Sequence, residues 1–182
     1  MKKTPLIIII LLLAAGTSLA ADHAIFSAGL GYLQPADSGY KEIYGSQAFF
    51  PEFQAGLRLV HGLYLMGGFG TFTKTGQTPV LHLTAKSTQT FFTAGLAYLA
   101  TISGGLKFKV EASAADVSYK ERTMEASVSG SKLGFQGGLG LLLMGKVTFV
   151  GVNLGYLYAS GTAEDVNIKL GGARASVFLG IR

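Results

Sequence analysis

The sequence predicts an all-β fold, an eight-stranded antiparallel up-and-down transmembrane β-barrel, preceded by a cleavable signal peptide. The 182-residue chain is hydrophobic on average, with a mean hydropathy of +0.42. It nevertheless lacks a run of about 18 apolar residues after its N-terminal segment, so membrane helices do not explain that average. Its apolar residues instead alternate with polar or small ones, which gives a strand one lipid-facing side. The predicted connections between these segments also alternate between short and long along the chain.

The N-terminal segment predicts a signal peptide at residues 1–20, which leaves residues 21–182 as an outer-membrane β-barrel domain. Two lysines precede an uninterrupted apolar core at residues 6–15. Ser18 and Ala20 then place small residues at both positions that signal peptidase reads. Because the apolar core is too short to span a bilayer comfortably, we expect cleavage after Ala20 rather than an uncleaved anchor.

The composition excludes several classes of function. The formal net charge is +5, but there is no block or stripe of Lys and Arg, so the chain is not expected to bind nucleic acid. The absence of Cys excludes disulfides and thiolate metal sites. His23, His61 and His82 are dispersed and lack a cluster of carboxylates, so we predict neither a metal site nor a cofactor.

The alternating segments number eight, and they begin near residues 24, 49, 63, 88, 105, 130, 147 and 168. Tight turns are predicted at residues 61–62, 103–105 and 144–146. Long connections are predicted at residues 34–48, 75–86 and 118–129, with an intermediate one at 159–167. Since outer-membrane barrels have short periplasmic turns and longer extracellular loops, the long connections are expected to face the outside. The third segment is ambiguous, because Phe69 and Phe72 fall on opposite faces.

The faces of the fifth segment separate most clearly: Leu106, Phe108 and Val110 alternate with Lys107 and Lys109. Alternation alone does not distinguish a membrane barrel from a soluble, lipocalin-like barrel, whose apolar face would point inward. The apolar faces are almost free of charge, and the opposite faces are rich in glycine, which suits the narrow interior of eight strands. We therefore predict that the apolar faces contact lipid.

The charged residues opposite the apolar faces are predicted to point into the lumen. They are Glu52, Arg58, Lys107, Lys109, Glu111, Lys132 and Arg174. Side chains nearly fill an eight-stranded barrel, and an unpaired buried charge is costly. We therefore predict a structural network of paired charges that plugs the lumen, while an ion pathway remains the alternative.

Aromatic residues on the apolar faces gather near the end of the barrel that carries the long connections. They are Tyr32, Phe53, Phe92, Tyr156 and Tyr158. Aromatic side chains concentrate where the hydrocarbon of a membrane meets the headgroups. These residues therefore predict an interfacial aromatic girdle.

No catalytic residues are predicted. A lipid hydrolase needs a nucleophilic Ser, a His base and an orienting group. Outer-membrane lipid A deacylases carry His-x-Ser followed by Asn, whereas this chain has His82, Thr84 and Ala85 at those places. We therefore expect a protein that is not an enzyme, with a lipid-modifying activity as the open alternative.

Taken together, the leader, the alternating segments and the rhythm of the connections resemble the OmpA/OmpX-like small outer-membrane β-barrel superfamily. The last segment is an amphipathic strand of the kind that the barrel assembly machinery reads, although it ends on Arg182 rather than on an aromatic residue. The resemblance implies a monomer in the bacterial outer membrane, in contact with membrane lipids and lipopolysaccharide.

The resemblance also implies a structural or surface-interaction role through the loops, with a narrow channel as an alternative. The mixed charges Lys120, Glu121, Arg122 and Glu125 are candidates to meet lipopolysaccharide or another partner.

Overall fold

The computed structural model describes residues 23–80, 82–123, 127–163 and 166–182. The predicted signal peptide and its cleavage site lie outside the described residues, as does Glu125. Among the residues described, no helix is both long enough and apolar enough to cross a membrane.

The described residues form a closed barrel in which each strand pairs antiparallel with the next, and the last pairs with the first. The predicted eight-stranded up-and-down barrel is therefore confirmed. The strands are β1 (Ala24–Pro35), β2 (Ala48–Val60), β3 (Leu63–Gln77), β4 (Thr84–Ser103), β5 (Leu106–Arg122), β6 (Ser127–Met144), β7 (Thr148–Ala163) and β8 (Val166–Ile181). A short helix, α1 (Ser38–Tyr44), lies between β1 and β2.

The connections define two ends of the barrel. One end, the turn rim, carries the tight connections at residues 61–62, 104–105 and 145–147. The other end, the distal rim, is where β1, β3, β5 and β7 end and the strands that follow them begin. Two of the predicted long connections, 75–86 and 118–129, and the predicted intermediate one, 159–167, are wrong in extent, because the strands continue through most of these residues.

The outer wall nearer the turn rim is apolar, as the alternation predicts. Leu139 and Leu154 are 53 % and 66 % exposed on this wall, and the glycines and charged residues that alternate with them point inward. The ambiguous third segment is also resolved, because Phe72 is buried in the lumen while Phe69 faces outward. A wall whose large side chains point away from the interior is the arrangement that a lipid environment stabilises.

A row of four residues in direct cross-strand register marks where the outer wall changes character. The row runs Phe69, Phe92, Asp116 and Leu133 across β3 to β6. On the turn-rim side of this boundary row, the outward residues are apolar. On its distal side they are polar, and the hydroxyls of the outward threonines hydrogen-bond across β3 and β4 at 3.0 Å for each pair.

Beyond the boundary row the alternation reverses its phase, which explains why the predicted loops were too long. Phe72, Phe91, Val117 and Tyr119 point inward and are buried there, while polar residues point outward. Strands that project past a membrane into water need this arrangement, because water favours the polar face and the apolar face packs into a core. Because these segments lack apolar residues on the outward face, their sequence pattern predicts loops.

The helix α1 lies in the mouth of the barrel at the distal rim. Asp37 caps its N-terminus by accepting a hydrogen bond from the Tyr40 backbone N–H at 2.9 Å. Tyr40 and Tyr44 are buried, and they join the apolar cluster inside the barrel. Gly76 of β3 allows this packing, because a Cβ at that position would overlap the carbonyl group of Ile43.

Candidate functional site

The predicted lumen residues all lie on inward faces of their strands, and four of them form two ion pairs. Lys109 pairs with Glu111, and Arg174 pairs with Glu52. These four side chains are at least nine-tenths shielded from solvent. The other three predicted residues, Arg58, Lys107 and Lys132, are half-buried. Among the described residues, Arg58 and Lys107 form no ion pair, and both lie nearer the turn rim.

The two ion pairs are joined on one side through Gln136 of β6. Lys109 Nζ lies 2.6 Å from Glu111 Oε2. Gln136 Nε2 donates a hydrogen bond to Glu111 Oε1 at 3.1 Å, and Arg174 Nη1 donates to Gln136 Oε1. One amide therefore connects the two pairs by donating to an anion and accepting from a cation.

The two ion pairs are joined on the other side through Gln54 of β2. Arg174 Nη2 lies 3.1 Å from Glu52 Oε1, and Gln54 Nε2 donates to the same oxygen at 2.8 Å. Lys109 Nζ then donates to Gln54 Oε1 at 3.2 Å. These contacts close a ring of six side chains, the lumen ring, that contains two carboxylates and two cations. Asn153 of β7 adds a branch by donating to Glu111 Oε1 at 2.7 Å.

Three members of this site, Gln54, Gln136 and Asn153, were not among the predicted site residues. Each alternates in phase with the charged residues of its own strand, so the signal that places it in the lumen was present in the sequence. The predicted lumen residues were selected by their charge, and neutral amides have none. An amide side chain can donate and accept hydrogen bonds at the same time, so it can join the carboxylate of one ion pair to the cation of the other.

Glycine opposite the ring supplies the space that the side chains need. Gly138 of β6 is the register partner of Glu111, and a Cβ at that position would lie 3.0 Å from Glu111 Oε1 and 3.1 Å from the Leu154 carbonyl oxygen. The carboxylate therefore occupies room that a larger residue on the neighbouring strand would take. Glycine-rich inward faces thus serve the polar ring rather than widening an open lumen.

Apolar clusters lie on both sides of the lumen ring. The cluster toward the distal rim includes Leu33, Phe50, Phe72, Phe91 and Leu157 together with the tyrosines of α1. The cluster toward the turn rim is Ile25, Tyr64, Leu99, Leu142, Phe149 and Phe178. The charged layer is thus enclosed between two layers of buried hydrophobic side chains.

The cations of the ring also contact these clusters through aromatic faces. The Arg174 guanidinium carbon lies 5.2 Å and 5.5 Å from the ring centroids of Phe50 and Phe91. Lys109 Nζ lies 5.6 Å from the centroid of Phe178. Cavities beside the ring have volumes of about 10 Å³ each, which is close to the space that one water molecule needs.

A smaller polar cluster lies near α1, inside the distal half of the lumen. Ser87 and Gln89 of β4 are buried, and their side-chain oxygens, like the Tyr40 hydroxyl, have no hydrogen-bond partner among the described residues. Glu121 of β5 is the register partner of Ser87. Burial raises the pKa of the Glu121 carboxyl, and the nearby charge of Asp37 raises it further.

The two tyrosines of α1 lead us to expect that the packing of this helix weakens at alkaline pH. Burial raises the pKa of both Tyr40 and Tyr44 from 10.0 to about 12. Below pH 10 both hydroxyls are neutral whether α1 is packed or released. Between pH 10 and pH 12 the two tyrosines of a released helix lose their protons more readily than those of a packed one. The free energy that holds α1 in the mouth therefore decreases as the pH rises through this range.

Absorbance titration of tyrosinate measures this effect. Substituting both residues, Tyr40→Phe with Tyr44→Phe, should remove absorbance from the part of the titration curve near pH 12. Loss of absorbance centred near pH 10 instead would contradict the packing of α1 inside the mouth.

The predicted girdle residues all face outward. Phe53, Phe92, Tyr156 and Tyr158 are about half exposed, and Tyr32 is partly covered by Phe49, with ring centroids 5.4 Å apart. Further outward aromatic residues that were not predicted for the girdle include Phe49, Phe69 and Phe135. The rings of Phe69 and Phe92 pack at a centroid distance of 5.0 Å on the boundary row.

The residues considered for catalysis are not assembled into a site. His82 and Thr84 are both exposed, and His82 has a φ of 50°, whereas the nearby serine, Ser87, is buried in the lumen. The part of the chain that the structure describes contains no cluster of three or more His, Cys, Asp or Glu side chains that could hold a metal ion.

No protein-family model matches the chain, and no curated protein matches it in sequence. Solved structures do match its fold. The outer membrane protein OprG from Pseudomonas aeruginosa superposes with a TM-score of 0.71 at 12% identity, over 88% of this chain and 95% of that one. Neisserial surface protein A superposes with a TM-score of 0.61 at 12% identity, over 87% and 96% of the two chains.

A third similar structure is Ail, the attachment invasion locus protein of Yersinia pestis, in complex with the heparin analogue sucrose octasulfate. Its TM-score is 0.59 at 15% identity, over 87% of this chain and 97% of that one. The chain therefore has the fold of the small outer-membrane β-barrels, as the resemblance implied. The predicted location in the bacterial outer membrane agrees with these neighbours.

Proposed function

We propose that this protein is a closed-lumen scaffold in the bacterial outer membrane that acts through the surface of its distal rim. The lumen ring is the observation that carries the proposal. Side chains from β2, β5, β6 and β8 meet across the barrel in one closed set of hydrogen bonds and ion pairs. A solute would have to break this ring and pass two apolar clusters.

Electrostatics also favours a closed lumen over a narrow channel. Both carboxylates of the ring have a cationic partner, so the layer has no net charge that would attract an ion of either sign. Opening the ring would leave charges unpaired in a poorly hydrated interior, which costs several kcal/mol for each ion. The apolar layers on either side add the cost of moving an ion through hydrophobic surroundings.

The distal rim is the part of the molecule that we assign to the cell exterior. Outer-membrane barrels turn their short connections toward the periplasm. Here the three turn-rim connections are two or three residues long, whereas the two longest connections, after β1 and after β3, lie at the distal rim. Beyond the boundary row, the strands have a polar outer face and an apolar core, as a structure surrounded by water does. This extension presents a side wall of paired strands to molecules of the cell surface.

Among the neighbours, Ail has been solved with a sulfated ligand, which supports a role in recognition at the surface for a barrel of this size. The proposal is for a protein that is not an enzyme, since the residues that could resemble a lipid hydrolase are separated between the rim and the lumen. It remains compatible with a monomer inserted by the barrel assembly machinery.

Planar-bilayer recording of the purified protein tests the closed lumen. We expect no conductance steps under conditions in which a porin, used as the positive control, inserts and conducts. Cell fractionation and gel mobility provide the companion test of location. The protein should remain with the outer membrane and change its apparent size on boiling. Reproducible conductance steps would contradict the closed lumen without affecting the location.

A further inference from the structure

The outer wall beyond the boundary row carries a cluster of three exposed cations that the lumen ring does not involve. Lys86 of β4 and Lys120 and Arg122 of β5 all point away from the barrel axis and are exposed. Lys86 and Arg122 are direct cross-strand partners, and Lys120 lies two residues from Arg122 on the same face. We call these three residues the basic wall.

The basic wall has no internal counter-charge. Like charges placed directly opposite each other destabilise a strand pair, and such positions usually have a carboxylate nearby. Among the described residues, the outward faces of β3 to β6 beyond the boundary row contain no Asp or Glu. Glu121 lies between Lys120 and Arg122 in sequence but points into the lumen. Asp116 lies on the boundary row itself and accepts a hydrogen bond from Ser131.

The neighbours of the basic wall are hydroxyl groups. On one side Thr75 is the register partner of Lys86. On the other side Ser127 and Ser129 are the partners of Arg122 and Lys120. Guanidinium and ammonium groups bind phosphate through charge-assisted hydrogen bonds, and hydroxyls add further donors. Charge and hydrogen-bonding capacity on this wall both match a ligand with several anionic oxygens.

The distance of the cations from the boundary row distinguishes between lipid classes. Lys120 is paired with Thr88, four residues beyond Phe92, which places it about 10 Å above the row for a strand of ordinary rise and tilt. Lys86 and Arg122 lie about 15 Å above it by the same geometry. The phosphate of a phospholipid lies in one thin layer next to the hydrocarbon. Only a lipid with a long anionic headgroup extends through this range.

We propose that the basic wall binds the phosphates and acidic sugars of lipopolysaccharide in the outer leaflet, beside the barrel rather than above it. This inference rests on the proposed function, because it requires the distal rim to face the cell exterior. The side wall, not the loop tips, is then the contact surface. Three cations arranged along two strands match a ligand whose anionic groups are spread along its length.

The test compares three forms of the full-length barrel in a zwitterionic detergent. They are the unmodified protein, the triple variant Lys86→Gln, Lys120→Gln and Arg122→Gln, and a control that removes two cations at the turn rim, Lys146→Gln with Arg182→Gln. Each form is titrated with purified rough-type lipopolysaccharide, and with the same lipopolysaccharide after enzymatic removal of its phosphates. Native mass spectrometry measures the bound fraction.

We expect the triple variant to bind intact lipopolysaccharide on the order of 100-fold more weakly than the unmodified protein, because each cation near an anionic surface contributes additively. The control should bind as the unmodified protein does, and removal of the phosphates should reproduce most of the loss. Equal binding by the triple variant, or equal binding of dephosphorylated lipopolysaccharide, would overturn the proposal. If sucrose octasulfate, titrated as a second anionic probe, bound while lipopolysaccharide did not, the choice of ligand would be overturned.

Two further readouts on the same triple variant separate this inference from the proposed function. Gel mobility before and after heating reports whether the variant still forms the barrel, and bilayer recording reports whether its lumen is closed. A folded, non-conducting variant with unchanged lipopolysaccharide binding contradicts the basic wall alone. Conductance from the unmodified protein contradicts the closed lumen alone.

Discussion

Replacing Arg174 with alanine is expected to lower the free energy of unfolding by about 3–5 kcal/mol, because it leaves a buried carboxylate without its partner. Arg174 pairs with Glu52 and donates to Gln136, so its loss opens the lumen ring at two points. The same substitution removes the cation from the faces of Phe50 and Phe91. Urea unfolding in lipid vesicles measures the change.

The matched control is Arg182→Ala at the turn rim. Among the described residues, the Arg182 side chain makes a 3.4 Å hydrogen bond to the Lys146 carbonyl oxygen and no ion pair, and its backbone hydrogen bond to Val147 is kept in the variant. This variant should change the free energy of unfolding by about 0.5 kcal/mol or less. The double variant Glu52→Gln with Arg174→Met removes both charges and should recover part of the loss. An effect of Arg174→Ala as small as that of Arg182→Ala would contradict the inference that Glu52 is a buried carboxylate that depends on Arg174.

Replacing Phe91 with alanine is expected to cost about 3–5 kcal/mol of stability, whereas replacing the adjacent Phe92 should cost about 1 kcal/mol. Phe91 is 1 % exposed, and its ring packs against those of Phe50 and Phe72 at 5.6 and 5.7 Å. Its removal leaves a cavity in the distal apolar cluster, next to the guanidinium of Arg174. Phe92 points outward and has its principal aromatic contact with Phe69.

The two phenylalanines are of one residue type and adjacent in sequence, so propensity and local backbone differ little between the variants. What differs is the face of the strand. Urea unfolding of the two variants therefore measures whether the distal half of the lumen is a packed core. A larger cost for Phe92→Ala than for Phe91→Ala would mean that the assigned faces of β4 are reversed.

Much of the membrane-embedded wall could be predicted from the sequence. Alternation is a local property, because successive side chains of a strand point to opposite faces. Once a face was recognised as apolar and uncharged, the inward direction of Glu52, Lys109, Glu111 and Arg174 followed for each strand separately. The number of strands followed from counting segments, and the positions of the tight turns followed from their glycines.

The distal half of the barrel could not be predicted in the same way. The rule that outward residues are apolar holds only where lipid surrounds the wall. Beyond the boundary row water surrounds it, so the buried Phe72 and Val117 occupy the inward positions and the pattern changes phase. The outward face loses its apolar residues at the boundary row, which predicts the end of the strand. The strand in fact continues, and only the medium around it changes from lipid to water.

The sequence by itself determined that this chain alternates as an eight-stranded barrel, which faces meet lipid, and which charges point inward. Only the tertiary structure decided that Gln54 and Gln136 close those charges into a ring, that α1 packs into the mouth, and that the basic wall stands beside the membrane surface. The physical reason is that alternation is set within each strand. Partners across the lumen are set by the register of every strand pair around the closed barrel, which no single segment encodes.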